Sequence, residues 1–211
     1  MSNDIFDGDF NLPDTVYVLA PGPQGVPYYK DIDGYVIAVN KAICIDAVGR
    51  DLWLSWALAY RRWGYQWFRD AMSVGVVRCF GRTANADGLG DVEDCDYTFA
   101  FHPGYADDPI GLKPNVLCHG GSISIAAVQL CFWKGVKHCI LVGCDYLGCN
   151  YYDGSTTHFH GHPVINEQKH GRVWPEAYTA QLIINDCIAA GMKITSLSPT
   201  SLRVETVNAP L

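Results

Sequence analysis

The chain has no apolar run longer than a strand, so no transmembrane helix is expected and no membrane partner is implied. It has no C-x-x-C pair, which removes zinc knuckles and thioredoxin-type redox motifs. No G-x-x-x-x-G-K-[ST] sequence occurs, which excludes a P-loop kinase, and the G-x-G-x-x-G dinucleotide fingerprint is absent too. Internal repeats and low-complexity tracts are also missing. Charge is sparse at 18%, and basic charge sparser still: 15 Lys and Arg stand against 22 Asp and Glu, for a net charge of −7. That balance gives no broad basic surface for a nucleic-acid backbone and leaves only a local basic groove open. The first residues, Met1 to Asp7, are acidic and lack the basic and apolar regions of a signal peptide, so a cytoplasmic protein is expected.

What is present is the composition of a soluble globular domain, with 49% hydrophobic residues in 211, enough for one substantial core. Nine cysteines are many. Cys44, Cys131, Cys139 and Cys187 lie inside apolar stretches, where a reduced thiol packs as a small core residue. Cys144 and Cys149 flank Asp145 and would need an electropositive setting to be reactive.

Short apolar runs recur along the chain: Val16–Ala20, Tyr35–Asn40, Val74–Phe80, Tyr97–Phe101, the run from Val136 through Ile140 that ends in Gly143-Cys144-Asp145, and Met192–Leu197 read as strands. Asp51–Trp56 reads equally as a strand or as the start of a helix, and Trp53, Trp56, Trp63 and Trp67 have the spacing of a helical aromatic stripe. Arg82–Gly90 and His102–Asn115 read as loops. Ser122 is placed to cap a helix that Gly135 closes, and Pro175 to open a second that Gly191 ends. Strand, helix, strand, helix, strand in the second half implies a parallel sheet. The expected fold is α/β and Rossmann-like, one domain over residues 1–211, with a mostly parallel sheet and helices on both faces.

Ligands of open α/β sheets bind outside the carboxyl ends of the strands, where the loops converge. Four segments fall there. Pro21-Gly22-Pro23-Gln24-Gly25 follows the first long strand, and glycine in it permits close backbone approach. Gly120-Gly121-Ser122 opens a helix, whose free amides and hydroxyl suit a phosphate-sized anion. Gly143-Cys144-Asp145-Tyr146 closes a strand with a carboxylate. Tyr151, Tyr152, His158, His160, His162 and His170 follow in a polar stretch. His158, His160 and His162 alternate, a spacing that a transition metal could use, but a single histidine as general base suits proton transfer near neutrality.

Taken together, Pro21-Gly22-Pro23-Gln24, Asn40 closing the next strand, Gly120 to His158, and Ser198-Pro199-Thr200-Ser201-Leu202 resemble the archaeal-type 6-hydroxymethylpterin diphosphokinase-like family and the related family 42 sialyltransferases. The resemblance implies that Gly22, Pro23, Gln24, Asn40, Gly121 and Ser122 line a donor-nucleotide cleft. It implies that Asp145 meets donor ribose or Mg²⁺, and that Tyr146, Tyr151 or Tyr152 hold phosphate oxygens. It also implies that His170 or His158 deprotonates the acceptor. The chain departs from the family at Gln24, where the family has Ser.

The expected function is therefore transfer from a nucleotide donor, foremost a nucleotide sugar, to a hydroxyl of a small-molecule or glycan acceptor. ATP- and Mg²⁺-dependent pyrophosphoryl transfer to a hydroxymethylpterin is the second reading. A non-catalytic nucleotide-binding module is the third. Metal dependence stays open between these readings, and a homo-oligomer is compatible with all of them.

Overall fold

The computed structural model describes residues 3–7, 10–55, 66–82, 95–102, 112, 114–118, 122–146 and 173–207. Its strands are β1 (Asn3–Asp4), β2 (Thr15–Leu19), β3 (Tyr35–Val39), β4 (Leu52–Ser55), β5 (Val77–Arg82), β6 (Tyr97–His102), β7 (Leu117–Cys118), β8 (His138–Val142), β9 (Lys193–Ser196) and β10 (Glu205–Thr206). Among the described residues they are accompanied by the α-helices α1 (Gln66–Ala71), α2 (Ile123–Trp133) and α3 (Val173–Ala189). Two 3-10 helices, Pro23–Asp31 and Asn40–Cys44, follow β2 and β3.

The strands lie in the order β1-β6-β5-β4-β3-β2-β8-β9-β10, with β7 beside β6. Every pairing among the described strands is parallel. The fold is thus the expected α/β, Rossmann-like one. β2 is the pivot. Leu19 pairs with Ala38 of β3 on one side and with Val142 of β8 on the other. From β2 the chain builds outward through β3, β4, β5 and β6, then returns to the far side of β2 and builds outward again through β8, β9 and β10. The reversal between β2 and β8 is a topological switch point, and two connections leave their strands in opposite directions there, opening a crevice.

Strands of an all-parallel sheet are buried on both faces, which explains why these runs are continuously apolar rather than alternating. Val16, Val18, Ile37, Val39, Leu52, Leu54, Cys139 and Leu141 pack on one face against α2 and α3. Leu19, Val36, Ala38, Trp53, Phe80, Ile140 and Val142 pack on the other, against both 3-10 helices and α1. Residues Ile123 to Cys131 of α2 are all buried, since this helix crosses the sheet beneath α3 and touches β2, β3, β4 and β7. A helix covered on every side needs no polar stripe.

Within the ambiguous Asp51–Trp56 segment, Leu52–Ser55 forms a strand. Trp53 therefore does not belong to a helical aromatic stripe. It projects from β4 into the second core, with ring centroids 5.2 Å from Phe68 and 5.1 Å from Phe80. Trp67 lies on α1, while Trp56 and Trp63 fall outside the described residues. The Val74–Phe80 run is strand only from Val77, because Met72 and Val74 first close turns onto the end of α1. His102, read as loop, ends β6. The segments from Thr83 to Asp94 and from Pro103 to Gly111 fall outside the described residues. No helix among the described residues is long and apolar enough to cross a membrane.

Candidate functional site

The turn after β8 carries the carboxylate. Gly143 adopts φ 66°, a left-handed conformation that costs glycine little, and Tyr146 adopts φ 51°, which is unfavourable for an aromatic residue. Between them Asp145 is 6% exposed. Its Oδ2 accepts the main-chain N–H of Gln24 at 3.1 Å. Its Oδ1 is buried and has no hydrogen-bond partner among the described residues. Burial pushes the carboxyl up from 3.8 to about 6, opposed in part by the Gln24 amide. A half-partnered buried carboxylate is costly, and groups kept in that condition cluster at functional sites.

The turn after β2 meets it from across the switch point. Pro21 and Pro23 have no amide hydrogen, so Gly22, Gln24 and Gly25 hold the donors. Gly22 N–H donates to the Gly143 carbonyl at 3.0 Å, Gln24 N–H to Asp145, and Gly25 N–H to the Gly22 carbonyl at 3.2 Å. All three amides are engaged inside the protein. The close approach that Gly22 permits is to the protein itself, because a Cβ there would stand 2.3 Å from the Gly143 carbonyl oxygen and 2.4 Å from Asp145 Oδ2. The departure at Gln24 also takes on a different meaning. Its contact with Asp145 is through the main chain, which any residue but proline supplies.

Asn40 closes β3 in the left-handed region at φ 47°, where asparagine is one of the few tolerated residues. Its side-chain carbonyl accepts the Ser55 hydroxyl at 3.0 Å, and its main-chain carbonyl accepts the Trp53 indole N–H at 3.0 Å. These bonds fasten the carboxyl ends of β3 and β4 together beside β2.

At the start of α2, Ser122 occupies the N-cap position with extended backbone, but its hydroxyl does not cap the helix. It lies 2.7 Å from the Ser124 hydroxyl and accepts the Tyr146 phenol at 2.9 Å, while Ser124 and Tyr146 oxygens are 2.8 Å apart. Three hydroxyls thus form a closed triangle joining the helix start to the Asp145 turn. Ser124 was not singled out in the sequence, although Ser-Ile-Ser at the head of an apolar helix is a legible signal. Ser198, Thr200 and Ser201, named above only as part of the resemblance and with no contact assigned, hold the Asp145 turn from the β9 side.

Asp145, Gly22, Gln24, Ser122 and Tyr146 therefore share one edge of the sheet, with Pro23 at the start of the adjoining 3-10 helix and Asn40 one strand further out. Gly121, Tyr151, Tyr152, His158 and His170 lie outside the described residues. Cys144 is buried, and its thiol is pushed well up by burial first and by Asp145 second, the reverse of what a nucleophile needs. The described cysteines are all free thiols. No three His, Cys, Asp or Glu side chains come together as a metal set among the described residues. A single buried carboxylate with one open oxygen still fits Mg²⁺, which commonly takes one or two carboxylates and draws its other ligands from water and substrate phosphates. A scan against protein-family models finds no match for this chain, and a search of curated proteins finds none either.

Proposed function

We propose that the crevice between β2 and β8 binds a nucleotide donor and that the protein transfers a group from it to an acceptor hydroxyl, glycosyl transfer from a nucleotide sugar being the reading of choice. The observation that carries it is Asp145. It stands at the switch point with one oxygen bound to the Gln24 amide and the other buried and unpartnered among the described residues, an acceptor suited to a ribose hydroxyl. In this reading the start of α2 and the hydroxyls of Ser122, Ser124 and Tyr146 face the donor phosphates and stabilise charge on the departing group. Tyr151 and Tyr152 add phenolic donors, and His170 or His158 takes the acceptor proton. The resemblance to family 42 sialyltransferases points the same way.

The open Oδ1 also supports a second reading, that of a pyrophosphoryl transferase resembling the 6-hydroxymethylpterin diphosphokinases. There Asp145 would hold Mg²⁺, which would neutralise phosphate charge when bound. Thermal-shift titration with CMP, UDP, GDP and ATP, each with and without Mg²⁺, tests both. Stabilisation by CMP, UDP or GDP without metal supports the first reading, and stabilisation by ATP only with Mg²⁺ supports the second. A chain that binds none of the four has no donor site of this kind. Binding without turnover over a panel of donors and acceptors would make it a binding module.

A further inference from the structure

Between Gly143 and Tyr146 the chain has left β8 and passes twice through the left-handed region, so no strand ladder serves its backbone there. The connection that follows β9 supplies partners instead, almost residue for residue. The Ser198 hydroxyl accepts the Gly143 N–H at 2.8 Å. Thr200 Oγ1 donates to the Cys144 carbonyl at 2.7 Å. The Ser201 N–H donates to the Asp145 carbonyl at 3.0 Å, and the Ser201 hydroxyl to the Tyr146 carbonyl at 3.1 Å. The clamp is itself braced: Leu202 N–H donates to Thr200 Oγ1 at 3.2 Å, and the Ser196 hydroxyl donates to the Ser198 carbonyl at 2.6 Å.

Three successive carbonyls, those of Cys144, Asp145 and Tyr146, are thereby fixed by Thr200 and Ser201. The peptide planes on either side of Asp145 cannot rotate without breaking one of these bonds. Side-chain direction follows backbone direction, so this restraint sets where the carboxylate can reach. The Gln24 N–H lies 3.1 Å from Oδ2, and rotation of either flanking peptide plane would carry the carboxylate off it.

We propose that Thr200 and Ser201 are positioning residues for Asp145: they lock the Cys144–Tyr146 turn so that one carboxylate oxygen stays on the Gln24 amide and the other stays open. Where the open oxygen is taken to meet a nucleotide donor, the proposal rests on the function proposed above; the positioning itself does not.

The test uses Thr200→Val, which keeps shape and removes the hydroxyl, beside Thr200→Ser, which keeps the hydroxyl. The readout is hydrogen exchange of the Gln24 amide relative to the amides of β2 in the same sample. Thr200→Val should speed Gln24 exchange about tenfold or more while β2 keeps its protection, and Thr200→Ser should behave as the unaltered protein does. A role confined to general stability would lower protection across β2 and Gln24 together. Ser201 is exposed, so Ser201→Ala retains the fold even if Thr200→Val does not, and it should move Gln24 in the same direction. Unchanged Gln24 exchange in the folded variants overturns the proposal. Any nucleotide that binds the unaltered protein should bind Thr200→Val about tenfold more weakly and Thr200→Ser equally. Should Gln24 lose protection in Thr200→Val while no nucleotide binds the unaltered protein, the positioning role stands and the donor reading falls.

Discussion

At Gly22 the constraint is space and not backbone angle. Its φ of −70° and ψ of 141° suit any residue, yet a Cβ would overlap the Gly143 carbonyl and the Asp145 carboxylate. Neither neighbour is a flexible chain end, since Gly143 is backbone and Asp145 is buried. Gly22→Ala is therefore expected to destabilise the fold by about 1–3 kcal/mol, the usual cost of forcing a methyl group into a packed site. It should also shift the Gln24 amide resonance. Urea denaturation with NMR of the folded variant checks both, and a fully stable Gly22→Ala with an unmoved Gln24 signal would sink the close-contact reading. Asp145 gives a second prediction through its proton. Its folded value near 6 lies above the ordinary 3.8, so the folded state holds the proton more tightly than the unfolded chain does. The stability this contributes is complete below about pH 4 and is lost as pH rises through about 6. Asp145→Asn stays neutral throughout and escapes that loss. The variant should gain on the unaltered protein between pH 4 and pH 7, by no more than about 3 kcal/mol at about 1.4 kcal/mol per pH unit. Donor affinity should fall over the same substitution. Parallel stability curves across that interval would mean that the carboxyl is not held protonated by burial.

Helix α2 shows how an element can be legible in outline and hidden in its purpose. Its apolar run and its closure at Gly135 are plain in the sequence, but Gln129 sits fully buried in the middle of it. The side chain accepts the Cys118 N–H at 3.0 Å and donates to the Cys118 carbonyl and, at 3.0 Å, to that of Ile125. It acts as a strand partner to β7, which is otherwise paired along β6. Gln129→Leu separates two effects of opposite sign. Apolar packing alone would stabilise this helix, whereas removing the partner of a buried amide and carbonyl should cost about 2 kcal/mol. We expect the loss to win, as a lower urea midpoint at unchanged slope; equal or greater stability would assign Gln129 no hydrogen-bonding role. The two-residue strands β1, β7 and β10 are too short to carry a pattern, but the longer strands were legible because β-branched apolar runs of about five residues, bounded by Gly, Pro and Asn, have few other readings. Leu52–Ser55 was not, since its four residues fit either period and tertiary pairing with β3 and β5 decided the matter. The clamp of Thr200 and Ser201 was equally hidden. Ser198 to Leu202 stands out in the sequence only through the family resemblance, which assigns it no contact, and only the pairing of β8 with β9 brings it against Asp145.

For the whole molecule, strand order matters more than strand content. Reading the runs in sequence gives parallel strands but cannot tell that β8 returns to the free side of β2, because that depends on the path of α2 across the sheet. Once it does, the ends of β2 and β8 lie side by side, and Gln24 and Asp145, 121 positions apart in the chain, become neighbours. The site was legible to the extent that Gly-x-Asp at a strand end and Gly-Gly-Ser at a helix start both fall on the carboxyl edge. Its inner bonding was not, since it runs through main-chain amides that carry no sequence signature. The proposed chemistry divides across this edge. Under the proposed function, donor recognition would belong to Asp145 and the hydroxyl triangle, and the proton of the acceptor to a histidine, with His170 and His158 the candidates. A group that acts on the acceptor in the transition state contributes little to donor affinity. His170→Ala or His158→Ala should accordingly lower kcat by about 10²–10⁴-fold, the ordinary contribution of general-base catalysis, while donor affinity by calorimetry changes less than about twofold. Asp145→Asn should do the opposite and act mainly on donor affinity. Chelation sorts the remaining alternatives: glycosyl transfer resting on hydroxyls and a helix start should persist in EDTA. Activity lost in EDTA and restored by Mg²⁺ would move the assignment to pyrophosphoryl transfer with Asp145 as a metal contact. Restoration by Zn²⁺ or Mn²⁺ alone would instead make the alternating histidines His158, His160 and His162 a metal site, and would leave His170 as the candidate base.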